Sequence, residues 1–125
     1  AAMSNDVIIS AARDKTVRSW TRSSPNTFAP HHVYLGHGHF VNALALIKPN
    51  QAYPQGKTKA YLIKSKRIDC GILGLIVSGG SDKFINVYDP SQPAEPRYTL
   101  IGHSENVSAL ATTPSGHIVS GSWDK

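Results

Sequence analysis

The sequence is short of cysteine, of acid and of long apolar runs, and each shortage excludes something. A single cysteine, Cys70, among 125 residues leaves no disulfide framework and fits a reducing compartment. No apolar run reaches the roughly 18 residues that cross a bilayer as a helix, and no secretory h-region opens the chain, so no membrane partner is expected. With 10 Gly and 8 Pro the chain is punctuated too often for long helices. Hydrophobic residues make up 40% and charged residues 17%, too apolar for disorder and ordinary for a folded domain. The length allows one small domain or part of a larger one. The expectation is a soluble, intracellular, β-rich protein.

Acid is scarce at 8 residues against 13 Lys and Arg, a net charge of +5 that invites a nucleic-acid reading. The distribution argues against it. Between residues 57 and 74, Lys57, Lys59, Lys64, Lys66 and Arg67 face Asp69 alone, a local +4, which leaves +1 for everything else. Nucleic-acid binders spread basic residues along a patch or stripe. A block confined to one stretch does not, and no nucleic-acid partner is expected.

What is present is a period. Ile9-Ser-Ala-Ala-Arg-Asp-Lys15, Val77-Ser-Gly-Gly-Ser-Asp-Lys83 and Val119-Ser-Gly-Ser-Trp-Asp-Lys125 share one pattern: a β-branched residue, Ser, two small residues, a variable position, then Asp-Lys. Their aspartates, Asp14, Asp82 and Asp124, are spaced by 68 and 42 residues. Tyr34-Leu-Gly-His37 and Thr99-Leu-Ile-Gly-His103 form a second matched pair, and short aromatic-ended segments follow the turns at Thr16–Trp20 and Phe84–Tyr88. Gly-His and Trp-Asp marks at about 40–45 residues are the signature of WD repeats in β-propellers.

The pattern predicts an all-β fold of nine strands: 7–13, 16–20 and 33–35; 41–47, 75–78, 84–88 and 97–101; 107–112 and 117–120. That is a partial propeller of about two and a quarter blades, with residues 1–35 a partial first blade, 36–101 the second and 102–125 part of a third. A closed ring needs about 4–8 four-stranded blades, so the chain is expected to be a fragment of a larger ring, taken as seven-bladed, whose first blade lacks its innermost strand. A turn aspartate that is buried needs partners.

The span from His37 to Asp82 is 45 residues, whereas His103 to Asp124 is 21. The excess lies in residues 57–74, and joining Gly56 to Leu75 restores a turn running into a strand. The segment is read as an in-frame intron carried into the translation. A genuine surface loop is the alternative, since closure entropy grows slowly with length.

Tyr98 to Leu110 followed by His117-Ile-Val-Ser-Gly-Ser-Trp-Asp-Lys125 resembles the third-repeat region of the phospholipase A-2-activating protein family, the ubiquitin-homeostasis adaptors of Doa and Ufd type in yeast. Ser10 to Trp20 resembles that family's first repeat, Ser23-Ser-Pro-Asn26 the turn after it, and Tyr53-Pro-Gln-Gly56 joined to Leu75 the entry to its second. The resemblance implies hydrogen-bonded chains of aromatic, hydroxyl, His and Asp: Tyr88, Ser78, His37 and Asp82 in the second repeat; Ser120, His103 and Asp124 in the third; Trp20, Ser10 and Asp14, without a His, in the first. It further implies a non-enzymatic propeller that binds ubiquitin or ubiquitinated proteins in cytoplasm and nucleus, with an AAA segregase docked through domains absent here. A generic protein-interaction scaffold and a phospholipase-activating signalling protein are the alternatives.

Arg13, Ser81 and Trp123 precede the three turn aspartates, and Phe40 lies in the Gly-His-Gly-His-Phe turn; these four are the candidate partner-binding residues. An amphipathic ring at an exposed turn is a frequent interface anchor, which puts Trp123 first. His31, His32, His37 and His39 suggest a metal, but a closed zinc site wants four N or S ligands and His37 is already committed, so no metal or other cofactor is expected. The Ser-His-Asp trio has the residue types of a hydrolase triad, but a triad is defined by geometry around a cleft, and no catalysis is expected.

Overall fold

The computed structural model describes residues 2–4, 6–47, 60–63, 66–69 and 74–125, and every regular element among them is a β-strand. The strands are β1 (Ala2–Ser4), β2 (Val7–Ala11), β3 (Val17–Ser24), β4 (Thr27–Tyr34), β5 (Val41–Ile47), β6 (Ala60–Ile63), β7 (Lys66–Asp69), β8 (Leu75–Gly80), β9 (Ile85–Tyr88), β10 (Tyr98–Leu100), β11 (Val107–Thr112) and β12 (Ile118–Ser122). They form antiparallel sheets in the orders β1-β2-β3-β4, β5-β8-β9-β10, β11-β12 and β6-β7. The first two are four-stranded meanders, the form of propeller blades.

Three expectations need correction. The first sheet does not lack its innermost strand: β1 pairs with β2 through Ala2↔Ile8 and Ser4↔Val7. The third and fourth strands of that sheet are longer than the expected 16–20 and 33–35, because β3 and β4 run out to a hairpin whose last pair is Ser24↔Thr27, turning at Pro25-Asn26. The strand read as 7–13 stops at Ala11, which puts Arg13 and Asp14 in the turn. In the insertion, β6 and β7 pair as a hairpin of their own, while Cys70 and the junction at Gly56 lie outside the described residues.

Beyond the insertion, β5 pairs directly with β8, Val41↔Gly80 to Ile47↔Leu75. All six residues of β8 are buried. Successive side chains of a strand point to opposite faces, so β8 feeds two cores. Leu75 and Val77 join Ala45, Ile47, Ile85, Val87 and Val107 on the side of the third sheet. Ile76 joins Ile9, Val17, Tyr34, Val41, Leu46 and Tyr88 on the side of the first. Fully burying one such aliphatic side chain contributes about 1.5–3 kcal/mol, so the second sheet is held from both faces. Gly79 permits that approach: a Cβ there would lie 2.5 Å from Val107 Cγ1.

The Asp-Lys marks have a common backbone. Lys15, Lys83 and Lys125 take φ of 72°, 74° and 62°, and they are the positive-φ non-glycine residues among those described. Asp14 Oδ1 accepts from Thr16 N at 3.1 Å and Asp82 Oδ1 from Phe84 N at 3.2 Å, side-chain turns that carry the chain through the left-handed lysine between them. Such a conformation costs an L-residue roughly 1–2 kcal/mol.

Candidate functional site

The turn aspartates fix the end of the fold on which the candidates sit. His37 Nδ1 meets Asp82 Oδ2 at 2.8 Å and its Nε2 meets Ser78 Oγ at 2.7 Å. Tyr88 extends the chain, its hydroxyl hydrogen-bonded to Ser78 and to Asn86 Nδ2, and burial raises its pKa. Gly38 N also donates to Asp82 Oδ2 at 2.8 Å, so the carboxylate ties the β4–β5 loop to the β8–β9 turn. Gly80 makes room: a Cβ there would meet Asp82 Oδ1 at 2.7 Å and His37 Nδ1 at 2.8 Å. The third repeat duplicates the arrangement, with His103 bound to Asp124 Oδ2 and Ser120 Oγ at 2.8 Å each and Ser104 N donating to Asp124 at 3.0 Å. Its pair is more open, 25% and 22% exposed against 0% and 9% for His37 and Asp82. The hydrogen bond from His103 is the largest influence lowering the pKa of Asp124.

The first repeat differs. Trp20 Nε1 donates to Ser10 Oγ at 2.8 Å, but Asp14 does not join them. Asp14 instead accepts from Thr16 Oγ1 at 2.6 Å and from Arg18 at 3.2 Å, and these hydrogen bonds, Thr16 first, lower its pKa.

The four candidate partner residues are brought to one end of the fold. Ser81 N donates to Phe40 O at 2.8 Å, Val41 N to Ala12 O at 3.2 Å and Trp123 N to Asn106 O at 3.1 Å, so each turn after a Ser-containing strand leans on a Gly-His loop or its edge. The Arg13 guanidinium lies 5.5 Å from the Phe40 ring centre, within cation–π range. Phe40, Ser81 and Trp123 then line one cleft of about 580 Å³ together with His39, Asn42, Asn106 and Ser108. Trp123 is 68% exposed and Phe40 37%. Asn42 Nδ2 donates to Ser81 Oγ at 2.8 Å and to Val107 O at 3.3 Å, joining second sheet to third beneath the cleft.

His39, weighed only as a metal ligand, and Asn42, Asn106 and Ser108 were not read as partner-binding residues from the sequence. The signal was there in the repeat register. Aligning Gly36-His37 on Gly102-His103 sets Phe40 on Asn106 and Asn42 on Ser108, as the Asp-Lys alignment sets Ser81 on Trp123. The cleft is therefore made of equivalent positions from two consecutive repeats. Of the other histidines, His31 and His32 stack on each other on β4 at 3.8 Å between ring centres. Among the described residues no cluster of three or more potential metal ligands occurs.

Comparison with known proteins agrees with this architecture. The WD40 family (WD domain, G-beta repeat) matches residues 94–125. Phospholipase A-2-activating protein from Xenopus laevis is 32% identical over 93% of this chain, and ubiquitin homeostasis protein lub1 from Schizosaccharomyces pombe is 30% identical over 98%. The chain spans only 12% and 14% of the length of these two relatives. Among solved structures, the WD40 β-propeller domain of Doa1 superposes with a TM-score of 0.66 over 100% of this chain and 34% of that one, at 29% identity. The chain carries WD40 propeller repeats similar to those of phospholipase A-2-activating protein, Lub1 and Doa1.

Proposed function

We propose that this chain provides a non-enzymatic docking face for ubiquitin or ubiquitinated proteins and acts in ubiquitin homeostasis and ubiquitin-dependent degradation. The observation that carries the reading is the cleft: an exposed tryptophan and a half-exposed phenylalanine from consecutive repeats above a floor of hydrogen-bonding side chains. Large rings that present an apolar body beside polar groups are the usual anchors of protein interfaces. The names of the Lub1 and phospholipase A-2-activating relatives divide between ubiquitin homeostasis and lipase activation. The cleft favours the first, because an aromatic-walled groove floored by hydrogen-bonding side chains suits an apolar patch on a folded protein.

Titration of ¹⁵N-labelled ubiquitin with the purified chain tests this. The expected result is a set of shifts confined to one apolar patch of ubiquitin, weakened about tenfold or more by Trp123→Ala, as for an interface anchor. No shifts, or shifts undiminished in the variant, would remove ubiquitin from this cleft. Stimulation of a purified phospholipase by the same sample would move the assignment to lipase activation. The AAA segregase partner belongs to the wider adaptor reading and uses no residue named in this chain. Recovery of a segregase with this chain alone would contradict that division.

A further inference from the structure

The left-handed residue of each Asp-Lys turn is a lysine in all three repeats, Lys15, Lys83 and Lys125. Glycine or asparagine would adopt that backbone at lower cost. Backbone strain retained at equivalent places points to a use for the side chain. All three lysines are exposed, and among the described residues none is in an ion pair. The neighbouring carboxylates are in the opposite condition. Asp14 is held by Thr16 and Arg18, Asp82 by His37 and Gly38 N, and Asp124 by His103 and Ser104 N. With Arg13 over Phe40, the cleft-bearing end thus presents a repeat-spaced row of cations whose nearby acids are already bound to partners of their own. Glu105, exposed in the loop between β10 and β11, is the one free counter-charge in these turns.

We infer that Lys15, Lys83 and Lys125 form a docking row for an acidic, extended segment of a partner protein lying across the repeats beside the cleft. The charge complementarity is that of single cations spaced a repeat apart, matched by carboxylates separated along a chain, unlike the dense continuous charge that a nucleic-acid backbone demands. The inference stands apart from the ubiquitin reading, since it concerns the rim and not the cleft.

The test is fluorescence anisotropy of a labelled peptide of repeating Glu-Ser-Leu-Asp against its Gln-Ser-Leu-Asn counterpart, using the full chain. The acidic peptide is expected to bind at low salt, the neutral one at least about fivefold more weakly, with the difference vanishing as salt screens it. Lys15→Asn with Lys83→Asn is expected to weaken the acidic peptide about fivefold while raising the thermal midpoint by roughly 2–5 °C, because asparagine suits the turn better. Lys15→Arg with Lys83→Arg should keep the binding. Equal binding of both peptides, an Asn variant that binds as well as the parent, or an oligothymidylate that displaces the acidic peptide at equal charge concentration would each overturn the inference.

Discussion

Phe40 and Trp123 wall the same cleft although they belong to different repeats and occupy non-equivalent places within them: Phe40 immediately precedes β5, Trp123 precedes a turn aspartate. Residues that share a binding pocket couple energetically. In ubiquitin titrations the losses from Phe40→Ala and Trp123→Ala are therefore expected not to add, with a coupling of about 0.5–3 kcal/mol in a double-mutant cycle. Strict additivity would mean that the two rings do not meet one ligand.

Gly79 and Gly121 occupy the same position in successive repeats but have different surroundings. A Cβ at Gly79 would press on Val107 Cγ1 at 2.5 Å, whereas one at Gly121 would touch Ala109 Cβ at 3.5 Å, an ordinary contact. Gly79→Ala is expected to cost about 1–3 kcal/mol through overpacking between sheets, and Gly121→Ala to lie within about 0.5 kcal/mol of the parent. Urea midpoints of the two variants check the contrast.

The two His–Asp pairs predict different costs. Asp82→Ala leaves a fully buried imidazole N–H without its acceptor and is expected to cost about 1–3 kcal/mol. Asp124→Ala, at a more open pair, should cost measurably less. Chemical denaturation of both variants decides the order, and equal losses would contradict the burial argument.

The pH dependence has a sign on each side. Asp124 has its pKa lowered from 3.8, first by the His103 hydrogen bond, so its contribution is present above 3.8 and is lost as pH falls through the lower folded value. Tyr34 and Tyr88 have theirs raised from 10.0, first by burial, so their contribution is present below pH 10 and is lost as pH rises through the higher folded values. Thermal unfolding should show a stability plateau between these limits, with a shallower acid limb in Asp124→Asn and a shallower alkaline limb in Tyr88→Phe.

Residues 57–74 interrupt a pairing that needs nothing from them: β5 and β8 are in register on either side, and β6–β7 form a separate hairpin. Reads from mature transcripts are expected to pass from the Gly56 codon to the Leu75 codon. Abundant messenger RNA containing the segment would make it a true loop. In that case deleting 57–74 should leave the unfolding midpoint nearly unchanged, since shortening a loop alters closure entropy only slightly.

Much of this was legible because a buried polar chain leaves fixed spacings. Gly-His, Ser and Asp-Lys recur in order, and the hydrogen bonds His37–Asp82 and His103–Asp124 follow that order. Less regular parts were not legible. The polar outer half of the β3–β4 hairpin, Arg22 to Phe28, carries no alternation to mark it, since its residues are largely exposed on both faces. β1 spans three residues, too short to leave a pattern. Asn42 and Ser108 looked like ordinary outward-facing strand residues, because a cleft between two repeats is a property of their packing and leaves no mark on either alone.

The second repeat is closed by His37, which bridges the Asp82 carboxylate through Nδ1 and the Ser78 hydroxyl through Nε2. A long-range ¹H–¹⁵N correlation spectrum of the histidine rings reads this directly. The prediction is one fixed tautomer for His37, with the proton on the Nδ1 that faces the Asp82 carboxylate. An Nε2–H tautomer, or averaging between the two, would contradict it.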